Sequence, residues 1–339
     1  MKKIRVNMIS ESDVSVQGHG VHTAYVELAA ALEKRDDVML IRGAFGKIIP
    51  CDIVHMHTIG TMTWKKLFQN DPKKVVSAHV IPASFLGSII FAKYWLFLAR
   101  WYMRWYYNRA DKVLAVSATV ASVLHDELHV PKEKIEIFYN TVDMSRYDFK
   151  KEEKIAARKR LQIREDGFVV LGNGQVQPRK RLDIFIKMAE ALPGVTFIWV
   201  GGIPFKQLGA DYASMQRLMN EVPSNLKMTG IVPHESVRDY LAAADVFCLP
   251  AEQENHPMCV LEAAGAGLPI VLRDIPEYDD TFKDDALRCS DDDFITTIKR
   301  LQNDADFYRS QQQKTRAIAR RFDSKTAADR LVKLYRQLI

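Results

Sequence analysis

Short runs of apolar, often β-branched residues alternate along the chain with stretches in which apolar positions recur at helical spacing. The first half contains such runs at residues 4–10, 38–42, 52–57, 75–80, 112–117 and 135–140. A helix-like stretch at residues 22–34 separates the first two. Alternation of this kind is typical of a parallel sheet whose strands are joined by helices. The pattern therefore predicts an α/β fold.

The alternation stops at residues 144–166, which are rich in charge and contain no strand-like run. It resumes at residues 168–174 and continues at 195–202, 226–230, 245–250 and 268–273. A chain of 339 residues is also longer than one hydrophobic core usually fills. We expect two doubly wound, Rossmann-like domains that face a cleft, at residues 1–145 and 146–320, with ligands at the carboxyl ends of the strands. Residues 321–339 should form a C-terminal helix, which either packs back on the N-terminal domain or lies on the surface.

Composition excludes several classes of protein. Hydrophobic residues make up 47% of the chain and charged residues 27%, which rules out fibrous and disordered proteins. The four cysteines, Cys51, Cys248, Cys259 and Cys289, are too scattered for a disulfide framework or a structural zinc site. The apolar run behind the N-terminal lysines is too short for the core of a signal peptide. We therefore expect a cytoplasmic protein.

The net charge of +6 is concentrated in one segment. Residues 60–112 contain nine Lys or Arg and two acidic residues. Such a patch indicates an anionic partner, which could be phosphate, nucleic acid or lipid headgroups. The sequence shows no module that reads a nucleic acid groove, so we expect no nucleic acid partner.

Residues 89–108 of this segment predict an aromatic and basic helix. At about 100° per residue, one stripe is apolar and is expected to pack on the sheet. That inward stripe consists of Phe91, Trp95, Leu98, Tyr102 and Trp105. The outward, membrane-binding residues are Lys93, Arg100, Trp101 and Arg104. These charges interrupt the apolar stretch well short of the roughly 20 residues of a membrane span, which favours peripheral membrane attachment. A buried domain helix with a solvated edge is the alternative.

Two loops that follow strands carry candidate phosphate-binding groups. Residues 17–21 form a glycine-containing turn before a helix, where backbone N–H groups can approach a phosphate; such turns are also common in any α/β fold. After the strand at 168–174 comes a basic loop with Arg179, Lys180 and Arg181. Its cations could neutralise a diphosphate leaving group, or they could simply be solvated.

Glu254 and Glu262 are the third candidate feature. Glu254 lies in the loop after the strand at 245–250, and a helix pattern begins near Met258, which places Glu262 in its first turns. Ionised carboxylates suit polyols because they accept hydrogen bonds from neighbouring hydroxyls. His55 and His57 share one face of a strand but have no third ligand at the spacing of a metal site. A structural or cleft-lining role is expected for them.

Together these motifs resemble the retaining GT-B glycosyltransferases of the large family 4. The likeness rests on residues 17–20 (QGHG), residues 172–180 (GNGQVQPRK), and the two glutamates followed by residues 263–271 (AAGAGLPIV), and it covers nearly the whole chain. Within that family, GQVQPRK and ENHP resemble the bacterial glycolipid synthases that add a second hexose to glucosyl-diacylglycerol. The resemblance implies a hexosyltransferase that uses UDP-glucose or UDP-galactose and needs no cofactor or metal.

The same resemblance implies roles for individual residues. Glu262 would bind the ribose hydroxyls, Glu254 the hexose 3- and 4-hydroxyls, and Lys180 the diphosphate. His79 would lie beside the reacting carbon, so that His79, Glu254 and Lys180 form the expected catalytic set. The turn with Gly18 and Gly20 would supply backbone contacts to the diphosphate.

This chain departs from the family pattern at two places. Gln175 stands where most members carry Arg in GR-x4-K, and Arg179 is the candidate for the missing cation. The family's EGFG is here Glu254-Asn255-His256-Pro257, so Asn255 and His256 are expected in a changed donor-binding loop. The departures leave open whether the donor carries glucose or galactose.

The combined prediction is a retaining hexosyltransferase attached peripherally to the inner face of the cell membrane. Its partners would be a nucleotide-sugar donor, a glycolipid acceptor such as monoglucosyl-diacylglycerol, and an anionic membrane surface. One alternative is a capsule or other polysaccharide transferase with the same donor site. Another is a membrane-surface binding protein with an inactive nucleotide-sugar site, against which the presence of Lys180, Glu254 and Glu262 argues.

Overall fold

The computed structural model describes residues 2–13, 20–43, 49–86, 91–203 and 211–339. The chain divides into two compact units. The first consists of Met1–Phe85, Ala92–Asp143 and Phe322–Ile339, and the second of Leu86–Phe91 and Met144–Arg321. In the described part of the chain, each unit is built around one six-stranded parallel sheet.

The sheet of the first unit has the strand order β2-β1-β3-β4-β5-β6. Its strands are β1 (Ile4–Ile9), β2 (Val38–Arg42), β3 (Ile53–Met56), β4 (Lys73–Ala78), β5 (Lys112–Ala115) and β6 (Ile135–Ile137). The helices of this part of the chain are α1 (Gly20–Glu33), α2 (Thr61–Lys66), α3 (Ala92–Asn108) and α4 (Ala118–Asp126). Strands β1 and β3 are buried almost throughout, as expected of parallel strands that helices cover on both faces.

The sheet of the second unit has the strand order β12-β11-β10-β7-β8-β9. Its strands are β7 (Val169–Asn173), β8 (Thr196–Val200), β9 (Leu226–Met228), β10 (Val246–Leu249), β11 (Ile270–Arg273) and β12 (Leu287–Cys289). The helices are α5 (Lys151–Arg160), α6 (Leu182–Ala191), α7 (Tyr212–Asn220), α8 (His234–Ala243), α9 (Met258–Gly265), α10 (Asp293–Asn303) and α11 (Ala305–Arg321). Counted from β7, this is the 3-2-1-4-5-6 order of doubly wound nucleotide-binding sheets.

Each sheet has one reversal point, at which the direction of strand addition changes. In the first unit it lies between β1 and β3, and in the second between β7 and β10. Ligands of such sheets bind outside the carboxyl ends of the strands at the reversal point. The predicted α/β class with two Rossmann-like sheets is confirmed.

The C-terminal helix α12 (Ser324–Leu338) completes the first unit. Leu331 and Tyr335 of α12 belong to the same core as Ile4 and Leu28 of β1 and α1. The Asp323 carboxylate caps the helix by accepting a hydrogen bond from the Lys325 amide at 3.0 Å. The last helix is therefore part of the core of the first unit.

The predicted inward stripe of α3 is wrong in part. Phe91 and Leu98 are 66% and 56% exposed, whereas Tyr106 and Tyr107 are fully buried. Phe91 precedes the first residue of the helix and has a φ of 58°, so the helical period does not apply to it. The Tyr107 hydroxyl donates to the carbonyl of Val80 at 2.7 Å, and such a partner lets a tyrosine occupy the inward face.

Candidate functional site

The residues predicted for donor binding and catalysis fall into two sets, one in each unit. The set in the second unit lies in the loops after β7 and β10, at the reversal point of that sheet, and on α9. The set in the first unit centres on His79, directly after β4. Gly18 lies outside the described residues, and Gly20 is the exposed first residue of α1.

Close backbone packing fixes the start of the loop after β7. Gly201 has a φ of 134°, and a Cβ atom there would lie 2.1 Å from the carbonyl oxygen of Gly174. Only glycine permits that approach. The indole N–H of Trp199 donates to the same carbonyl at 3.0 Å, so β8 holds the beginning of this loop.

Arg179, Lys180 and Glu254 form a charged cluster at the reversal point. Lys180 Nζ forms an ion pair with Glu254 Oε1, and both side chains are 9% exposed. Arg179 Nη1 lies 3.5 Å from the same oxygen and donates to the carbonyl of Gln253 at 2.8 Å. Burial of the two charges together is tolerated because each offsets the other. The loops after β7 and β10 thus bring two cations to one carboxylate.

Arg181 joins the same two loops through its guanidinium group. It lies 2.8 Å from Asp183 of α6, 2.7 Å from Glu252 of the loop after β10, and 3.3 Å from Asp291. Its backbone has a φ of 51°, a left-handed conformation that few non-glycine residues adopt. The Glu252 amide also donates to the carbonyl of Arg179 at 2.8 Å. Arg181 therefore positions the loop that carries Lys180.

Gln175 is linked to Arg179 through Gln177. The side-chain amide of Gln177 donates to Gln175 Oε1 at 3.2 Å and accepts from Arg179 Nε at 3.2 Å. Gln175, which stands where most family members carry an arginine, is thus connected to Arg179. We expect Arg179 to replace that arginine. The role of Arg179 in donor binding stays a prediction.

Glu262 lies on α9 and is 2% exposed. His234 Nε2 is 2.8 Å from Glu262 Oε1, and the Tyr147 hydroxyl donates to the same oxygen at 3.4 Å. His234 is the first residue of α8, in the chain segment that follows β9. Neither partner was predicted from the sequence. The signal that could have indicated His234 is its place after the carboxyl end of a strand.

Asn255 and His256 follow Glu254 in the loop after β10. The Gln253 side-chain amide donates to Asn255 Oδ1 at 3.2 Å. His256 is buried, and its ring stacks on Phe282 at 5.5 Å with an interplanar angle of 5°. These contacts give the loop a defined shape, while the predicted contact of both residues with the donor stays a prediction.

His55, His57 and His79 form a histidine cluster in the first unit. His57 Nδ1 lies 3.1 Å from His79 Nε2, and the rings of His55 and His57 lie 4.5 Å apart. His55 is held at both nitrogens, by the Tyr335 hydroxyl at 2.6 Å and the Ser77 hydroxyl at 2.9 Å. A cavity beside the cluster is lined by both His57 and His79.

Burial keeps two members of the histidine cluster uncharged. Loss of solvent lowers the pKa of His55 to about 3. Burial, and then the nearby His55 and His79, hold the pKa of His57 well below its usual range. His55 and His57 are therefore neutral at pH 7. Among the residues that the structure describes, no group of His, Cys, Asp or Glu is arranged to hold a metal ion.

Two family models match the chain. The model described as "Glycosyl transferases group 1" matches residues 153–320, and the "Glycosyltransferase Family 4" model matches residues 37–146. The alpha-galactosylglucosyldiacylglycerol synthase of Streptococcus pneumoniae is 35% identical over 282 residues, which cover 82% of this chain and 74% of that protein. The chain belongs to the family of GT-B glycosyltransferases. It is a hexosyltransferase, as predicted.

Other similar proteins agree with this glycosyltransferase assignment. The processive diacylglycerol alpha-glucosyltransferase of Acholeplasma laidlawii is 29% identical over 232 residues, which cover 68% of each protein. HepE of Anabaena, solved in complex with UDP-glucose, has a TM-score of 0.79 at 18% identity and matches 99% of this chain and 100% of its own. Sucrose-phosphate synthase of Thermosynechococcus elongatus has a TM-score of 0.79 at 17% identity, with 99% of each chain covered. These two structures establish the GT-B fold.

Helix α3 of this glycosyltransferase carries the predicted membrane-binding residues on an exposed face. Lys93, Arg100 and Arg104 are exposed, and Trp101 is 69% exposed. Arg100 forms an ion pair with Glu127 at 2.9 Å. We call the exposed residues Lys93, Tyr94, Phe97, Leu98, Arg100, Trp101 and Arg104 the outer face of α3. In the described part of the chain, no helix is long and apolar enough to cross a membrane.

Not all of the basic segment lies on the surface. Lys66 is 2% exposed, and burial lowers the pKa of its amine. Lys112 is half-buried, with its ammonium group 3.6 Å from Glu136. Residues 60–112 therefore present less positive charge on the surface than the number of Lys and Arg residues in the sequence indicates.

Proposed function

We propose that this enzyme transfers a hexosyl unit from a UDP-sugar to a membrane glycolipid, with retention of configuration at the anomeric carbon. The observation that carries the proposal is the charged cluster at the reversal point of the second sheet, followed by Glu262 on α9. The acceptor is supported by the two relatives, whose names describe sugar transfer in the synthesis of diacylglycerol glycolipids.

Lys180 and Arg179 would neutralise the diphosphate of the donor. Negative charge develops on the leaving phosphate as the glycosidic bond breaks, and a fixed cation stabilises that charge without reorganisation. The Lys180 ammonium group has three N–H donors, of which the ion pair with Glu254 engages one. Glu254 in turn would accept hydrogen bonds from the hexose 3- and 4-hydroxyls, and Glu262 from the ribose hydroxyls.

Retention is supported by the anomeric configuration of the donor and of the relatives' products. HepE was solved with UDP-glucose, in which glucose is linked as an α-glycoside. Both relatives are named as enzymes of alpha-linked transfer. His79 would lie beside the reacting carbon, with the neutral His57 3.1 Å from its Nε2 atom. No metal or cofactor enters this proposal.

Attachment to the inner face of the cell membrane is the second part of the proposal. The outer face of α3 combines three cations with aromatic rings, of which Phe97 is 68% and Tyr94 67% exposed. Aromatic rings enter the headgroup region while Lys and Arg bind anionic lipid, at roughly 1 kcal/mol for each cation near the surface. Such a face would hold the enzyme at the membrane that contains its acceptor.

A product assay tests the proposed reaction. UDP-glucose and UDP-galactose are each offered to diacylglycerol and to monoglucosyl-diacylglycerol in mixed vesicles, and products are identified by mass and by anomeric configuration. We expect an α-linked dihexosyl lipid from one of the two donors. Nucleotide release without any lipid product would instead favour a polysaccharide acceptor, and β-linked product would contradict retention.

Vesicle co-sedimentation tests the membrane surface. Reversing Lys93, Arg100 and Arg104 to Glu should weaken binding to anionic vesicles by orders of magnitude, since three attractive charges become repulsive. The charge-matched control reverses Lys187, Lys299 and Lys314, which are exposed on the second unit, and should sediment almost as the wild type does. Equal loss in both variants would mean that only net charge matters. Equal binding to neutral vesicles would remove the electrostatic explanation.

A further inference from the structure

His234 and Tyr147 both contact one oxygen of Glu262 and leave the other to a ligand. The two contacts reach Oε1, at 2.8 Å and 3.4 Å. Among the described residues, Glu262 Oε2 receives no hydrogen bond from a side chain. The carboxylate is therefore anchored through one oxygen, with the second available to hydroxyl donors.

The anchor depends mainly on His234. A carboxylate whose side chain is 3% exposed requires a hydrogen-bond partner, since an unpaired buried charge is costly. The Tyr147 contact is long for an O–H···O hydrogen bond, so the shorter His234 contact supplies most of the restraint. Because a carboxylate oxygen only accepts, His234 donates from Nε2.

His234 is also open on one side. Its side chain is 28% exposed, although it contacts a buried carboxylate, and it begins α8 after the loop that follows β9. Its position suits a residue that holds a ligand-binding group at the edge of the sheet.

We propose that His234 is a positioning residue for nucleotide binding: it fixes the carboxylate of Glu262 in the orientation in which Oε2 accepts hydrogen bonds from the ribose hydroxyls of the donor. This inference rests on the proposed function, which assigns Glu262 to the ribose. His234 acts through Glu262 and not by its own contact with the sugar nucleotide.

The test compares two nucleotides in binding calorimetry. UDP carries both ribose hydroxyls, and 2′,3′-dideoxyuridine diphosphate lacks them. The wild type should prefer UDP by about 10-fold or more, the size of a hydrogen bond to a charged group. His234→Ala should reduce this preference to about 3-fold or less, and its affinity for the dideoxy nucleotide should stay within about 2-fold of the wild type.

Two amide variants separate positioning from general damage. Gln places its side-chain N–H near the position of Nε2, whereas Asn places it near Nδ1, too short to reach Glu262. His234→Gln should therefore retain most of the preference for UDP, and His234→Asn should lose it like alanine. Tyr147→Phe should have a smaller effect than His234→Ala, because its hydrogen bond is longer. Thermal unfolding of each variant confirms that the protein is folded.

The possible outcomes separate this inference from the proposed function. Glu262→Gln should lose the preference for UDP; if it does not, the assignment of the ribose site fails. If Glu262→Gln loses the preference but His234→Ala and His234→Asn keep it, the positioning role of His234 alone is wrong. Equal weakening of both nucleotides in the His234 variants would show a structural role and would also overturn the inference.

Discussion

The histidine cluster lies at the carboxyl ends of β3 and β4 in the first unit, and the charged cluster lies at the carboxyl ends of β7 and β10 in the second. Both are buried polar groups beside the reversal point of a parallel sheet. The histidine cluster is held by hydrogen bonds between neutral groups, which join His55 to the hydroxyls of Tyr335 and Ser77. The charged cluster is held by opposite charges on Lys180 and Glu254.

The difference shows two ways of burying functional groups. A neutral polar group needs a hydrogen-bond partner, and the loss of that partner costs a moderate amount of free energy. A charged group needs an opposite charge, and its loss leaves the remaining charge buried, at a higher cost. The two clusters should therefore respond differently to substitution, to pH and to salt.

The largest effect is expected in the charged cluster. Lys180→Met should cost at least about 2 kcal/mol of transition-state stabilisation, because a cation on the diphosphate is lost. It should also lower the free energy of unfolding by about 3 kcal/mol, because Glu254 stays buried and Arg179, at 3.5 Å, offsets its charge less well than Lys180 does. Turnover measurements and urea unfolding report the two quantities separately.

A second substitution distinguishes these two losses. Lys180→Met with Glu254→Gln removes both charges and should regain most of the stability but none of the activity. Lys187→Met is the control, because Lys187 is an exposed lysine of α6, the helix that follows the loop with Lys180. It should change neither the turnover nor the free energy of unfolding. A double variant no more stable than Lys180→Met would show that Glu254 is not destabilised by losing Lys180.

The next effect, on pH dependence, is expected in the histidine cluster. Burial lowers the folded-state pKa of His55 to about 3, whereas an unfolded histidine titrates at about 6.5. Between these values the unfolded chain binds a proton that the folded chain does not. The stability that a neutral His55 contributes is therefore complete above about pH 6.5 and is lost as the pH falls, by about 1.4 kcal/mol for each pH unit.

His55→Gln should remove that portion of the pH dependence. Urea unfolding at several values between pH 7.5 and 5 gives the free energy of unfolding as a function of pH. Below pH 6 the slope of this dependence should be lower in the variant than in the wild type by about 1.4 kcal/mol per pH unit. His129→Asn is the control, since His129 is exposed and asparagine accepts its positive φ of 51°. A slope unchanged in His55→Gln would mean that His55 is charged in the folded protein.

A smaller effect is expected from the partner of His55 on the C-terminal helix. Tyr335→Phe removes the hydroxyl that lies 2.6 Å from His55 Nδ1 and should cost about 1–2 kcal/mol of unfolding free energy, because a buried nitrogen loses its partner. Tyr212→Phe, at a half-buried tyrosine of α7, should cost less. The loss in Tyr335→Phe should be the same at low and high salt, since neither group is charged.

How much the sequence predicts differs between the two clusters for a physical reason. Lys180, Glu254 and Glu262 stand in short motifs next to strand ends, so that local spacing indicates their place. Tyr335 meets His55 across 280 positions of the chain, and no local pattern can indicate that contact. The strand runs were predicted from apolar periodicity, except β12, whose three residues are mostly half-buried and form an edge.

The face of α3 was partly mispredicted for a related reason. Apolar periodicity treats tyrosine as an ordinary aromatic residue, whereas Tyr106 and Tyr107 face inward because carbonyl groups accept their hydroxyl protons, at 3.2 Å and 2.7 Å. The contact of His234 with Glu262 and the contacts of Arg181 with Glu252 and Asp291 were not predicted, because they join side chains that are distant in sequence. Burial and hydrogen-bond partners are properties of the packed chain, and spacing alone does not contain them.

The smallest effect is expected at Arg181, where partly exposed charges support the charged cluster. Arg181→Lys keeps the positive charge but loses the planar fork that reaches Asp183, Glu252 and Asp291. The loss should be about 1 kcal/mol at low salt, since pairs in contact with solvent are weak. It should shrink in about 1 M NaCl, where the Debye length is near 3 Å. Arg160→Lys, at the exposed pair with Asp239, is the control and should have no measurable effect.

Urea unfolding of Arg181→Lys and Tyr335→Phe at both salt concentrations decides the comparison between the two clusters. A loss of stability that depends on salt in Tyr335→Phe would contradict the division into a neutral and an ionic cluster. A loss that does not depend on salt in Arg181→Lys would contradict it as well.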